Sequence, residues 1–262
     1  MNTKLKALAL AGTILAAPIF ASAASAASII GLIDGKSLVW IDPGTKKMTG
    51  KADIKGATNV VGIDVRPADG MLYAVTADGG IYTVDAKSGA ATMKSKLSET
   101  LKSGVSVTVD FNPVADRLRV ITSDGVNLRV NVDDGKATVD GTLKFKEGDA
   151  NADKTPMVIA GAYTNSANPK PSATALYDID AATGSLVSQA PPNDGILNTI
   201  GSLGIKLNGA IAFNIVNKGE DNAAWLATGG MLYSVDLKTG KATSAGKLEG
   251  VNGKLTDIAW VD

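Results

Sequence analysis

The sequence predicts an all-β protein: a single β-propeller with five blades of about four antiparallel strands, closed into a ring by its C-terminal strand. Three observations carry that prediction. One short strand motif ending in aspartate recurs five times along the chain. The copies are spaced by 43, 48, 47 and 56 residues, close to the length of a four-stranded blade. The first unit also begins too late to hold its own opening strand, and a matching strand stands at the C-terminus.

The chain opens on a segment with the features of an export leader. Lys4 and Lys6 supply a positive start, Ala7 to Phe20 is mostly apolar, and Ala21-Ser22-Ala23 and Ala24-Ser25-Ala26 offer the small residues of a cleavage site. The apolar run is shorter than the ~20 residues of a permanent membrane helix. Residues 1–26 are therefore expected to be a signal peptide and residues 27–262 the propeller domain, periplasmic or secreted, with no membrane anchor. No cysteine is present, so neither a lipid anchor at the cut nor a disulfide is available, and the exported domain must rely on its core.

The five strands are Leu38-Val39-Trp40-Ile41-Asp42, Ile81-Tyr82-Thr83-Val84-Asp85, Arg129-Val130-Asn131-Val132-Asp133, Leu176-Tyr177-Asp178-Ile179-Asp180 and Leu232-Tyr233-Ser234-Val235-Asp236. Ile or Val precedes each aspartate, and the alternation has the period of two that places one apolar face on a core. Glycine follows in Lys87-Ser88-Gly89, Ala182-Thr183-Gly184 and Lys238-Thr239-Gly240, as a tight hairpin turn with positive φ requires. Opening strands recur as Gly62-Ile63-Asp64-Val65, Val109-Asp110-Phe111-Asn112, Ala160-Gly161-Ala162-Tyr163 and Ile211-Ala212-Phe213-Asn214. Thr256 to Trp260 matches them and is expected to pair with the Leu38 strand, removing the exposed edges of an open array. The long interval before Asp236 reads as a loop with one short strand, and Ser95 to Lys102 as a short helix or an irregular connection.

Several strings then share an order with a known family. Asp110-Phe111-Asn112-Pro113-Val114-Ala115-Asp116-Arg117-Leu118-Arg119-Val120 leads to Asn127-Leu128-Arg129-Val130-Asn131, then Asp140-Gly141-Thr142-Leu143 and Gly148-Asp149-Ala150-Asn151. Ala162-Tyr163-Thr164-Asn165, Gln189-Ala190-Pro191-Pro192-Asn193 and Gly201-Ser202-Leu203-Gly204 complete the set. The chain thus resembles the bacterial exported family known as domain of unknown function 4394. The resemblance implies an exported, propeller-like repeat protein and no assigned activity. Where that family tends to have Gly-Phe-Asp-Ile, this chain has Ala212-Phe213-Asn214-Ile215, an amide in place of a carboxylate.

Composition narrows the chemistry. There is no histidine and no cysteine, which excludes Ser-His-Asp and Cys-His catalysis, zinc cages and haem ligation by those residues. Basic and acidic residues balance at 26 each, without the positive face that nucleic acid demands. Aromatic residues make up 5%, too few for a broad stacking platform.

Three groups of residues can carry a site. Three of the four arginines are Arg117, Arg119 and Arg129, and the last shares a strand face with Asn127 and Asn131. Guanidinium groups on paired strands can grip an anionic ligand bidentately, or else form an internal ladder with Asp110, Asp116 or Asp133. Aligning the opening strands puts Asp64, Asp110, Asn214 and Asp257 at matching positions, with Ala162 in the fourth unit. If they form a ring at the central channel, calcium is the cofactor their oxygens suit; otherwise each ties down its own blade. Asp149 and Asn151 open an incomplete calcium-loop pattern, with Lys154 where glycine is needed. No catalytic residue is nominated. The expected function is a non-enzymatic binding or scaffold propeller for an unknown ligand or protein partner, the alternative being a metal-assisted hydrolase or lactonase-like enzyme with its site at the channel.

Overall fold

A computed structural model of the protein describes residues 28–167, 169–218 and 221–261; the expected signal peptide lies outside the described residues. It is a five-bladed propeller of antiparallel sheets. Blade 1 joins the two ends of the chain: β1 (Ser28–Ile33), β2 (Ser37–Ile41) and β3 (Met48–Asp53) are completed on the inside by β21 (Leu255–Val261). Blade 2 is β4 (Val60–Val65), β5 (Leu72–Thr76), β6 (Gly80–Val84) and β7 (Ala91–Lys96). Blade 3 is β8 (Val107–Asn112), β9 (Arg117–Thr122), β10 (Asn127–Val130) and β11 (Ala137–Val139). Blade 4 has β13 (Val158–Tyr163), β14 (Leu176–Asp180), β15 (Ser185–Gln189) and β16 (Ile196–Ser202), with β12 (Lys144–Phe145) added in parallel on its outer edge. Blade 5 is β17 (Ile211–Lys218), β18 (Asp221–Thr228), β19 (Met231–Val235) and β20 (Ala242–Lys247).

Two expectations change in detail, and a third is decided between its alternatives. The C-terminal strand pairs with Ser28–Ile33, which stands between it and the Leu38 strand, because the apolar residues Ile29 to Ile33 form a strand of their own. The long interval before Asp236 holds a full outer strand, β16, after a single 3-10 turn at Pro192–Asp194. Beyond Lys96 the connection is irregular, with no helix.

The motif aspartates close the hairpins. Asp85 Oδ1 accepts the backbone N–H and the hydroxyl of Ser88, both at 2.7 Å, and Gly89 takes φ 73°. Asp42 does the same with the N–H of Thr45 at 2.6 Å, and Lys46 takes the left-handed position at φ 61°. In the third copy Asn131, not Asp133, is the turn residue: its carbonyl accepts the N–H of Gly135, as that of Asp85 accepts the N–H of Gly89. The strand ends at Val130, so the repeat is shifted there by two residues.

Apolar faces of adjacent blades form the core. Between blades 2 and 3, Tyr73, Val75 and Ile81 meet Val109, Phe111, Leu118 and Val120, with Tyr73 and Phe111 edge to face at 5.2 Å. Similar seams join blades 4 and 5, 5 and 1, and 1 and 2. The strands β21, β4, β8, β13 and β17 contact one another around the axis and form the channel wall.

Candidate functional site

An innermost propeller strand pairs on one side only, so its backbone N–H groups toward the axis need other partners. The carboxylates aligned in the sequence supply them. Asp257 Oδ2 accepts the N–H of Ile63 in blade 2 at 2.9 Å, Asp64 Oδ2 that of Phe111 in blade 3 at 2.7 Å, and Asp110 Oδ1 that of Tyr163 in blade 4 at 2.9 Å. Each aspartate therefore clasps the following blade, not its own turn. All three are buried. Burial pushes Asp64 up to about 7 and raises Asp110 and Asp257 well above the usual carboxylate range; the neighbouring Asp64 charge raises Asp110 further. Ala162 of the fourth unit offers blade 5 no such carboxylate, while blades 3 and 4 gain a second clasp, the Thr108 hydroxyl accepting the N–H of Gly161 at 3.0 Å. Asn214 is buried on β17, beside the cavity at the strand ends. Among the described residues no group of three or more acidic side chains could hold a metal ion.

The sequence did not single out Asp178. It lies on β14 opposite Gly161, fully buried, and neither carboxylate oxygen has a hydrogen-bond partner. A Cβ on Gly161 would stand 2.2 Å from its Oδ1, so the carboxylate occupies room that only glycine leaves. Burial raises it to about 8. The signal was present in the sequence, where Asp178 and Asp180 share one face of a buried strand.

Two arginines meet on an acid that sequence reasoning gave no role. Arg119 and Arg129 are cross-strand partners, and both grip Asp140: Arg119 Nη1 at 2.6 Å from Oδ2, Arg129 Nε at 2.7 Å from Oδ2 and its Nη2 at 2.9 Å from Oδ1. Arg119, 3% exposed, also donates to Asn127 Oδ1, Asn193 Oδ1 and the Tyr163 hydroxyl. Asn127 Nδ2 donates to the carbonyl of Pro192 at 2.9 Å. Arg117 and Asn131 stand apart: Arg117 is exposed and donates to the carbonyl of Asp116, and Asn131 Oδ1 accepts the N–H of Asp133. The expected ladder partners are engaged elsewhere, Asp116 with Arg66 at 2.6 Å and Asp133 with Lys94 at 3.2 Å. Asp149 and Asn151 fasten their loop to β16, Asp149 Oδ2 accepting the N–H of Thr199 at 2.7 Å and Asn151 Nδ2 donating to its hydroxyl.

Open space lies at the two ends of the channel. Where the inner strands begin, a funnel of about 800 Å³ is lined by one residue from each blade: Val61, Val107, Ile159, Ile211 and Thr256. Asp34, Asn59, Ser106, Ser123 and Lys254 add polar groups to this wide mouth. Where the strands end, a narrower cavity of about 360 Å³ includes Asp64, Ser166, Asn214, Asn217 and Trp260 in its wall.

The model of the family described as "Domain of unknown function (DUF4394)" matches residues 29–259. No curated protein matches the chain. Among solved structures, it is similar to a protein of unknown function from Bacteroides thetaiotaomicron VPI-5482, with 15% identity and TM-score 0.55 over 88% of this chain and 63% of that one. An auxiliary nutrient binding protein from the same strain superposes with 11% identity and TM-score 0.47, over 75% of this chain and 55% of that one. A protein of unknown function from Bacteroides caccae does so with 14% identity and TM-score 0.45, over 86% and 73%. At such identities the likeness is one of fold alone.

Proposed function

The chain belongs to this family of unknown function, and we propose that it is an exported binding propeller whose wide mouth takes a small amphipathic molecule. The observation that carries the reading is the ring of Val61, Val107, Ile159, Ile211 and Thr256, one from each blade, at the neck of the funnel. Four of the five side chains are aliphatic, and the rim groups Asp34, Asn59, Ser106, Ser123 and Lys254 are polar. The volume of about 800 Å³ falls within the range of small-molecule sites, and an apolar wall with a few polar groups is their usual lining. Burying the apolar body of a ligand supplies affinity, while the rim orients it. Export rests on the leader-like residues 1–26.

The test uses anilinonaphthalene sulfonate as an amphipathic probe. The folded protein should bind one equivalent with enhanced fluorescence, and Val107→Asp and Ile159→Asp should each weaken it about tenfold or more, the equivalent of ~1.4 kcal/mol. Binding that ignores both substitutions overturns the wide-mouth reading. Terminal sequencing of exported material should begin at Ala27; a chain retaining Lys4 overturns the export reading.

A further inference from the structure

The narrow end of the channel has a different chemistry. Asp64 stands one residue from the end of β4 and lines the cavity of about 360 Å³ there. Its carboxylate accepts backbone N–H groups from Phe111 and Val65, both neutral donors. Among the described residues no lysine or arginine pairs with it. Arg66, two residues along, is committed elsewhere: it holds Asp116 through Nε at 2.8 Å and Nη2 at 2.6 Å, and Asp69 at 3.2 Å. A buried carboxylate without a counter-charge is costly, and a cation entering the cavity would offset that cost. The rest of the wall suits such a guest. Asn214 and Asn217 offer amide oxygens, Ser166 a hydroxyl, and the half-buried Trp260 an indole beside which a cation is favoured.

We propose that the narrow mouth is a second binding site, for a small organic ammonium ion, with Asp64 as its counter-ion and the amides and hydroxyl of Asn214, Asn217 and Ser166 as hydrogen-bond partners. The site is independent of the wide mouth, and either reading can fail without the other.

Calorimetric titration with ethanolamine, choline and glucosamine, and with glucose as the uncharged analogue of glucosamine, tests it. At least one ammonium probe should bind, and glucosamine should bind about tenfold or more tighter than glucose. Asp64→Asn keeps an oxygen for the Phe111 N–H and removes the charge, so it should lose the bound probe by a similar factor while the melting temperature holds or rises. Asn214→Asp, which adds a second carboxylate to the same wall, should tighten binding. Saturating anilinonaphthalene sulfonate should not compete. The proposal is overturned if no ammonium probe binds, if glucose matches glucosamine, if Asp64→Asn binds as tightly as the native protein, if Asn214→Asp does not tighten binding, or if the wide-mouth probe displaces the ammonium.

Discussion

The seam between blades 2 and 3 and the seam between blades 3 and 4 solve the same packing problem with different materials. The first is apolar at its centre, where the Tyr73 ring, Phe111, Leu118 and Val120 interdigitate, and its polar contacts are few and separate: the Tyr73 hydroxyl donates to Asp69, Arg66 pairs with Asp116, and Asp64 accepts the Phe111 N–H. The second has a smaller apolar cluster, which includes Ile121, Leu143, Phe145 and Leu176, and hands the rest to Arg119, Asp140, Asn127, Asn193, Tyr163 and the solitary Asp178. An apolar seam tolerates modest repacking because dispersion and water exclusion are not directional. A polar seam in a dry interior works only in one geometry, since each unmet donor or charge costs more than a met one contributes. Blades 3 and 4 are thereby locked in register, and that seam holds, in Asp178, a buried carboxylate with no hydrogen-bond partner.

The largest effect is expected at the centre of the polar seam. Asp140→Ala leaves Arg119 buried without its carboxylate and should cost about 3–5 kcal/mol in denaturant unfolding; a loss near zero would mean the network contributes nothing that water cannot replace. Leu118→Ala in the apolar seam should cost roughly 2–4 kcal/mol, and by the same amount at every pH. The effect that separates the seams most sharply is at Asp178, where it is the dependence on pH that is read. An unfolded carboxyl titrates near 3.8 and Asp178 in the fold at about 8, so between these values the native state keeps a proton that the unfolded chain has released. Its favourable contribution is complete below 3.8 and is lost as pH rises to about 8; Asp64, at about 7, acts in the same direction. Relative to the native protein, Asp178→Asn should therefore gain stability steadily from roughly pH 4 to pH 8, by at most ~1.4 kcal/mol for each pH unit, and level off above. A pH-independent difference would show that Asp178 ionises freely in the fold.

The apolar seams were legible because alternation and turn glycines are local signals: Ile81 to Asp85 names its strand, its core face and its turn within a few residues. The third unit was misplaced by two residues because Asn131 and Asp133 both suit a turn, and only the pairing of the Gly135 N–H with the Asn131 carbonyl decides between them. The inner-strand aspartates could be aligned by repeat position, yet their acceptor role toward the next blade belongs to the ring and to no single unit. Asp140 stayed hidden for a related reason. It follows a short edge strand and looks like any loop acid, while Arg119, Arg129 and Asn127 converge there from strands that the hairpin register brings side by side. The two mouths involve every blade or several at once, and distances across the axis leave no trace in spacing.

Ser28 and Val261 are paired neighbours, and Val261 belongs to the wall of the narrow cavity. Both ends of the described chain consequently leave from the same face of the disc, the one opposite the funnel. Whatever is attached at either end, a surface, a resin or a fused reporter, will hold the molecule by its narrow side and present the funnel outward, so immobilisation should leave the wide mouth unshaded and crowd the narrow one.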